Sequence, residues 1–213
     1  MITAVLFDFA GVLTSSPWAA MTEAGGGNLE LLIGSYEEDG DHPWHRVERG
    51  EMAIMDWAAA VAEMGKAQGI EVDFTPLQSL LGDMTLHEPI IERVRSLRDE
   101  GYRTGLITNN VREGSATWRA MLPLDELFEV VVDSCEVGMR KPNAAIFHHT
   151  LALLGDVAPE QAVFLDDSPG NVAGAQRAGL HAILVDAPEQ AVQDLDALLL
   201  QRDAQDRSPS PAP

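Results

Sequence analysis

The chain has 213 residues, of which 46% are hydrophobic, and its 34 acidic residues outnumber its 14 basic ones to give a formal charge of −20. This composition predicts a packed globular protein, and the negative field disfavours binding to nucleic acid phosphates and to anionic membranes. Cys135 is the only cysteine in the sequence, which excludes an internal disulfide and a cysteine metal cluster.

The first predicted element is a strand over Ala4–Phe7, an apolar run without polar alternation, as expected of a strand buried on both faces in a parallel sheet. Asp8 follows this run and would lie at the carboxyl end of the strand, where open α/β sheets bind ligands. Gly11 would let the backbone turn sharply around whatever Asp8 holds. An Asp in this place also caps ordinary turns, so the stretch alone leaves both interpretations open.

Helical patterns without any strand-like run fill the next part of the chain, from Ser15 to about Leu86. They cover Leu29 to Tyr36, His45 to Glu51, Met55 to Gln68 and Thr75 to Leu81. In the third pattern Trp57, Val61 and Met64 recur at steps of three and four residues, as on the inner face of a helix. We interpret residues 15–86 as a helical cap.

A regular alternation of helices and strands follows this insertion. The predicted helices are Pro89 to Glu100, Glu113 to Leu122, Ala144 to Leu154, Asn171 to Ala178 and Glu189 to Gln201. The predicted strands are Tyr102 to Thr108, Val130 to Val132, Val163 to Leu165 and Ala182 to Val185. This order predicts an α/β fold, a Rossmann-like doubly wound parallel sheet with a helical cap inserted after its first strand. The core would comprise residues 1–14 and 87–202, and we expect the Ser- and Pro-rich tail, residues 203–213, to be disordered.

Polar side chains follow several of these strands, and a doubly wound sheet brings such strand ends together. The second strand ends at Thr108, before Asn109 and Asn110; Lys141 follows the third strand; the fourth is followed by Asp166 and Asp167. Carboxylates held close together repel one another unless a hard cation or a lysine neutralises them. Asp8 with Asp167 would suit Mg²⁺, which prefers a few carboxylates, waters and a substrate phosphate.

Four motifs in this order resemble those of the haloacid dehalogenase-like hydrolase superfamily, in the branch with a helical cap after the first strand. They are Asp-x-x-Gly-Val-Leu from Asp8, Thr108-Asn109, Lys141-Pro142, and Asp-Asp-x-x-x-Asn from Asp166. The likeness extends from Thr3 to about Val185. The stretch around Asp8 and the cap segment His42 to Glu51 are most similar to members that resemble the amino-terminal phosphatase domain of soluble epoxide hydrolase.

The resemblance implies a phosphatase that acts on a small phosphorylated metabolite. Asp8 would be the nucleophile that attacks phosphorus and forms an aspartyl-phosphate. Thr108, with Asn109 beside it, would hydrogen-bond the transferring phosphoryl oxygens, and Lys141 would neutralise charge between the phosphoryl group and Asp8. Phosphoryl transfer demands positioning and charge neutralisation more than covalent chemistry, and these residue types supply both.

The resemblance also implies a Mg²⁺ site formed by Asp8, the backbone carbonyl of Ala10, and Asp167 with Asp166 next to it. Ala10 itself departs from the family pattern. Phosphatases of this superfamily usually have a second Asp at this position, which protonates the leaving alkoxide and later activates water. The loss of a general acid and base typically costs ~10²–10⁴-fold in rate.

Ala10 leaves three interpretations open. The first is a slow phosphatase that prefers good leaving groups such as acyl or aryl phosphates. The second is an impaired member that binds a phosphorylated ligand or a protein partner. The third is cleavage of a carbon–phosphorus bond, as in the superfamily's phosphonoacetaldehyde hydrolases, which also carry Ala at this position and use a cap lysine; the cap here offers only Lys66.

Five residues of the cap could line the cap side of a substrate pocket and meet an anion, or could be a packing anchor and surface charge. They are His42, Trp44, His45, Arg46 and Arg49.

The sequence also supports an expectation about location. No segment approaches the ~18 uncharged apolar residues of a membrane span, and the beginning of the chain has no basic region before its first apolar run. We expect a cytoplasmic protein, monomer or homodimer, that has no signal peptide.

Overall fold

The computed structural model describes residues 1–35, 37–77 and 83–207, apart from the side chains of residues 203–207. A five-stranded parallel sheet lies at its centre. The strands are β1 (Ala4–Phe7), β2 (Arg103–Thr108), β3 (Val130–Asp133), β4 (Ala162–Asp166) and β5 (His181–Leu184). Their order is β3-β2-β1-β4-β5, so β1 lies in the middle with β2 and β4 as its neighbours. The Rossmann-like α/β sheet predicted from the sequence is confirmed.

Between β1 and β2 the chain first forms a group of helices that we call the cap. They are α1 (Trp18–Ala24), α2 (Leu29–Ile33), α3 (Pro43–Glu48) and α4 (Ile54–Ala67), followed by a 3₁₀ turn at Thr75–Leu77. The cap helices pack on an apolar cluster of their own, which includes Met21, Leu32, Val47, Trp57 and Val61. The two segments that join the cap to the sheet run side by side, because the amide of Ser15 donates to the carbonyl of Thr85 at 2.8 Å.

The remaining helices cover the two faces of the sheet. They are α5 (Glu88–Asp99), α6 (Ser115–Arg119), α7 (Leu124–Leu127), α8 (Ser134–Val137), α9 (Ala144–Leu153), α10 (Pro169–Arg177) and α11 (Pro188–Arg207). Successive side chains of β1 point to opposite faces, so Val5 and Phe7 pack with α5, α6, α7 and α11, while Ala4 and Leu6 pack with α9 and α10. Both faces of the strand are therefore buried, as its unbroken apolar run predicted. Among the described residues, no helix is both long enough and apolar enough to cross a membrane.

Several elements differ from the sequence-based expectation. The structure adds α1, a seven-residue helix without a side-chain cap, and the one-turn helices α7 and α8, all too short to give a periodic pattern. The helix expected at 113–122 is a 3₁₀ turn (Arg112–Gly114) followed by the short α6. The backbone of residues 203–207, which the sequence assigned to the tail, continues α11. Residue 36, the end of the pattern at 75–81 and residues 208–213 lie outside the described residues.

Candidate active site

Three of the predicted site residues meet at the carboxyl edge of the sheet. Asp8 directly follows β1, Asp166 ends β4, and Lys141 lies in the loop before α9. The Lys141 ammonium is 2.7 Å from Asp8 Oδ1 and 2.8 Å from Asp166 Oδ2, and it donates to the carbonyl oxygen of Ile107 at 3.0 Å. One fully buried ammonium therefore joins two buried carboxylates, which is the convergence that the strand order requires.

The electrostatics of this group follow from burial. Desolvation raises the pKa of Asp8 well above its usual value, and the neighbouring carboxylates of Asp166 and Asp167 add to that rise while Lys141 opposes it. Burial alone would lower the pKa of Lys141, but the attraction of Asp166 and Asp8 outweighs it and holds the pKa above the ordinary value. Lys141 therefore stays charged, and the three carboxylates around it, when all are ionised, carry more negative charge than it can neutralise.

Asp166 and Asp167 differ sharply in how their oxygens are satisfied. Asp166 accepts hydrogen bonds from Lys141, from the amide of Ser168 at 2.8 Å, and from the Asn171 side chain at 3.1 Å on both oxygens. Asp167 accepts from the indole of Trp18 on Oδ2 at 3.0 Å, but its buried Oδ1 has no partner among the described residues. A buried carboxylate oxygen without a donor is costly, so this atom is suited to a ligand.

This orphaned oxygen lies in a cluster that fits a metal ion. Asp8, Asp166 and Asp167 each offer a carboxylate oxygen, and these atoms lie within 4.8 Å of one another. Oxygen-only donors with an excess of negative charge are what hard cations such as Mg²⁺ prefer. Gly11, with φ of +87°, keeps the turn beside Asp8 open, because a Cβ atom at this position would overlap the Asp167 carboxylate.

The two predicted phosphate ligands after β2 lie in different surroundings. Thr108 is the last residue of β2, is buried, and pairs in register with Asp133. Asn109 lines the cavity described below, and its side chain accepts from the Lys141 amide at 2.9 Å and donates to the Lys141 carbonyl at 3.0 Å. Asn109 therefore fixes the backbone of Lys141. The predicted contacts of Thr108 and Asn109 with a phosphoryl group stay predictions.

A cavity of about 570 Å³ opens over this site, between the sheet edge and the cap. Asp8, Ala10 and Lys141 lie at its base. The cap side is formed largely by apolar side chains, among them Met21, Ile33, Trp44, Ile54, Trp57 and Phe74. A ligand that reaches Asp8 would therefore have most of its body against hydrophobic surface.

An ion pair joins the cap to the core at the wall of this cavity. Glu48 of α3 accepts from the Arg140 guanidinium at 2.6 Å and from the Trp44 indole at 2.8 Å. Both charged side chains are about 95% buried, and Arg140 also donates to the carbonyl of Glu38. The sequence alone does not indicate this pair, because its members are 92 positions apart and belong to no shared motif. Arg140 directly precedes Lys141, so the pair ties the cap to the lysine loop.

We expect Glu48→Gln to lower the free energy of unfolding by on the order of 3 kcal/mol, because it removes the 2.6 Å counter-charge of the buried Arg140 and leaves the more distant Asp39 carboxylate, at 3.7 Å, as its acidic partner. Chemical denaturation followed by circular dichroism would measure this change. Glu63→Gln is the matched control, since Glu63 pairs with Lys66 at 4.0 Å on the surface and both side chains are more than three quarters exposed. Equal losses in the two variants would show that the Glu48–Arg140 pair is not a structural connection.

Of the five cap residues with two possible roles, Trp44 alone lines the cavity. His42 caps α3 through Nδ1, which accepts from the Trp44 amide, and His45 accepts from the Gly40 amide. Arg49 binds Asp39 and Glu51, and Arg46 lies 4.0 Å from Glu51 at the surface. The pocket interpretation therefore holds for Trp44, and the structure gives the other four a role in the cap's own packing and ion pairs.

The raised pKa of Asp167 leads to a prediction about metal binding. Burial, and then Asp166, raise the pKa of Asp167 from 3.8 to about 6, so without metal the folded protein binds more protons than the unfolded chain between these values. Stability of the metal-free protein should therefore fall as the pH rises from about 4 to about 6 through this group. A cation favours the charged form, so Mg²⁺ should raise the thermal midpoint clearly at pH 7.5 and little at pH 5.

Differential scanning fluorimetry with and without Mg²⁺ at the two pH values would measure this shift. Asp167→Asn should remove most of the shift at pH 7.5, whereas Asp133→Asn, at a buried strand end outside the cluster, should keep it. A Mg²⁺ shift of the same size at pH 5 and pH 7.5 would contradict the assignment of the cation to these carboxylates.

A parallel sheet whose carboxyl edge presents acidic residues and a lysine beneath a helical cap defines a class of protein, the capped Rossmann-like α/β proteins. Within that class, the chain belongs to the haloacid dehalogenase-like hydrolase family, whose model matches residues 2–179. The resemblance inferred from the four motifs is thereby confirmed.

Two mouse proteins illustrate its relatives. The chain is 34% identical over 211 residues to acyl-CoA dehydrogenase family member 10 and 26% identical over 208 residues to bifunctional epoxide hydrolase 2. These matches cover 92% and 89% of this chain, but only 19% and 37% of the respective relatives. The chain is thus similar to one part of each larger protein.

Solved structures agree with this assignment. A protein from Porphyromonas gingivalis described as a predicted haloacid dehalogenase-like family hydrolase is 26% identical, with a TM-score of 0.65 over 93% of this chain and 98% of that one. An enzyme of the family from Bacteroides thetaiotaomicron, a variant in complex with magnesium and inorganic phosphate, is 21% identical, with a TM-score of 0.62 over 86% of this chain and 93% of its own. At 21% identity, the match to the Bacteroides thetaiotaomicron enzyme shows a shared fold and no more.

Proposed function

We propose that this protein is a Mg²⁺-dependent phosphatase that uses Asp8 as a nucleophile on a small phosphorylated metabolite. The observation that carries the proposal is the contact of the Lys141 ammonium with both Asp8 and Asp166 at the base of the cavity. A carboxylate nucleophile needs a fixed orientation and a nearby positive charge, and this contact supplies both. Asp8 Oδ1 also accepts from the amide of Phe9 at 2.7 Å, which leaves Oδ2 for the reaction.

The reaction would proceed in two displacements at phosphorus. In the first, Asp8 Oδ2 forms a bond to phosphorus while the bond to the ester or acyl oxygen breaks, and the leaving oxygen keeps the electron pair. In the second, water attacks the same phosphorus and the bond to Asp8 breaks, which releases inorganic phosphate and restores the carboxylate. Lys141 would offset the negative charge on the phosphoryl oxygens in both steps, and Asp166 keeps the ammonium in place.

Mg²⁺, held by Asp8, Asp167 and the backbone carbonyl of Ala10, would add positive charge at the phosphoryl oxygens. The unpartnered Oδ1 of Asp167 supports this ligand set. Asp166, whose oxygens already accept from Lys141, Ser168 and Asn171, would stabilise Lys141 more than it binds metal.

The cavity supports a more specific proposal about the substrate. Arg140 and Lys141 are the cationic residues among the described side chains that line it, and both already have carboxylate partners. No further cation in this lining is therefore available for a second anionic group of the ligand. The apolar cap side favours a monoester or an acyl phosphate whose remaining part is hydrophobic. A good leaving group would also compensate for the absence of an acid at Ala10.

Phosphate release with Mg²⁺ tests this proposal directly. The panel should pair apolar substrates with more polar ones of the same type: phenyl and naphthyl phosphates against carboxyphenyl phosphate, which adds a negative charge, and benzoyl phosphate against carbamoyl phosphate, which is uncharged but polar in its leaving group. We expect turnover of the apolar members, with loss of activity on removal of Mg²⁺ by a chelator. Absence of phosphate release from every member would contradict the proposed function.

Ala10 favours a second candidate function, a protein that binds a phosphorylated ligand and turns it over weakly or not at all. Ala10 lines the cavity, and its methyl side chain is neither a proton donor nor a base. A burst of one phosphate or leaving group per protein molecule without sustained release would support this candidate. The carbon–phosphorus alternative lacks its cap lysine at the site, because Lys66 is 79% exposed and pairs with Glu63 on the outer face of α4.

A further inference from the structure

Trp18, the first residue of α1, contacts the acidic cluster as well as the cap. Its indole nitrogen donates to Asp167 Oδ2 at 3.0 Å across 149 positions of sequence, and its side chain lines the cavity. We propose that Trp18 is a positioning residue for the metal site, holding Asp167 in the orientation in which its Oδ1 binds the cation. This inference rests on the metal site of the proposed function and adds a residue of the cap to it.

The need for such a residue follows from a comparison of the two adjacent carboxylates. Asp166 is fixed by donors from Lys141, Ser168 and Asn171, all of which belong to the core. Asp167 has fewer donors: beyond the Trp18 indole, the side chain of Ser16 stabilises its charged form. Both of its donors therefore lie in the segment that leads from β1 into the cap. Its orientation depends on that segment.

The two carboxylate oxygens of Asp167 have different surroundings. Oδ2 accepts the indole hydrogen bond, while Oδ1 is buried and has no partner among the described residues. If the indole N–H were lost, the carboxylate could rotate about its Cβ–Cγ bond and no longer present one fixed oxygen. Groups that orient a metal ligand in this way typically change metal affinity by 10–100-fold when removed. We therefore expect Trp18→Phe to weaken Mg²⁺ binding by roughly 10-fold or more.

Trp44→Phe provides a matched control. Trp44 also lines the cavity, also packs in the cap, and also donates its indole N–H to a carboxylate, but that carboxylate is Glu48 rather than Asp167. Both substitutions keep an aromatic ring and remove one N–H. A role in cap packing alone would affect the two variants alike, whereas a role in the metal site would affect Trp18→Phe alone.

The experiment is a Mg²⁺ titration of the full chain, followed by isothermal calorimetry and by the thermal midpoint, in wild type and both variants. We expect the dissociation constant to rise 10-fold or more in Trp18→Phe and by less than about 3-fold in Trp44→Phe. In the Asp167→Asn background, Trp18→Phe should cause no further weakening, because the effect acts through Asp167. Wild-type affinity in Trp18→Phe, or equal weakening in both variants, would overturn the inference while leaving the metal site intact.

A wild type that binds no Mg²⁺ would overturn the metal site and this inference together, so the two failures can be told apart. If Trp18→Phe does not fold, the inference can be tested instead by the indole N–H signals in ¹H–¹⁵N spectra of the wild type and of the other variants. One of the four signals should shift both with Mg²⁺ and in Asp167→Asn, and it should persist in the Trp44→Phe, Trp57→Phe and Trp118→Phe spectra. No indole signal that responds to Mg²⁺ would contradict the inference.

Discussion

Replacing Asp8 by Asn should abolish phosphate release and leave the fold intact. The amide of Asn is a poor nucleophile, and removal of the nucleophile from other covalent enzymes costs on the order of 10⁴-fold or more in rate. The fold should persist because Lys141 keeps its 2.8 Å contact with Asp166, and because the repulsion of Asp8 by Asp166 and Asp167 is removed at the same time. Steady-state phosphate release and the thermal midpoint would be measured side by side.

Asp133→Asn is the control for this variant. Asp133 is also a buried carboxylate at the end of a parallel strand, but it caps α8 and lies outside the acidic cluster. Asn is a good helix cap, so activity and fold should both survive there. Retained turnover in Asp8→Asn would show that the reaction does not pass through this carboxylate.

Replacing Ala10 by Asp should increase turnover of alkyl phosphates, up to the ~10²–10⁴-fold that general acid and base catalysis typically contributes. Ala10 lines the cavity two residues after Asp8, so a carboxylate there can reach an oxygen that leaves from phosphorus above Asp8. The gain should be much smaller for acyl and aryl phosphates, whose leaving groups depart without a proton. Asp8, two residues away, forms one acidic cluster with Asp166 and Asp167, and these like charges should raise the pKa of a new carboxyl group at position 10 and keep part of it protonated.

Ala10→Asn distinguishes general acid and base catalysis from an effect of side-chain size at position 10. It has the size of the Asp variant but no titratable proton, so it should give no gain with either substrate class. Steady-state rates with one alkyl and one aryl phosphate in the three proteins would decide the matter. Equal gains in Ala10→Asp and Ala10→Asn, or none in either, would show that Ala10 does not differ from the family's usual Asp simply by the loss of a general acid and base.

The sequence was informative where local pattern and topology act together. Asp8 and Asp166 follow apolar strand runs, and a parallel sheet with β1 between β2 and β4 must bring the ends of those strands to one edge. The resemblance of Lys141-Pro142 to a family motif indicated that Lys141 acts beside Asp8, and the structure adds that its ammonium contacts Asp166 as well. Each of these steps depends on short-range sequence signals and one rule of topology.

The contacts between cap and core could not be predicted in this way. Trp18 opens a short helix with no capping signal, and its partner Asp167 is 149 positions away. Glu48 meets Arg140 only because α3 packs over the loop before α9. Such pairs follow from how two packed units meet in space, which neither periodicity nor motif order records. They define the apolar cavity, and therefore the class of substrate proposed for this protein.

Covalent phosphorylation of Asp8 is the central claim, and trapping it tests the claim most directly. Ala10 cannot activate water against the intermediate, so the aspartyl-phosphate should persist long enough to be caught. Wild type would be mixed with Mg²⁺ and phenyl phosphate, quenched in acid within the first turnovers, and reduced with borohydride. Hydride reduction of an acyl phosphate expels phosphate and leaves a primary alcohol, so peptide mass analysis should show homoserine in place of Asp8, dependent on substrate. Sustained phosphate release with Asp8 unmodified at every quench time would contradict the account.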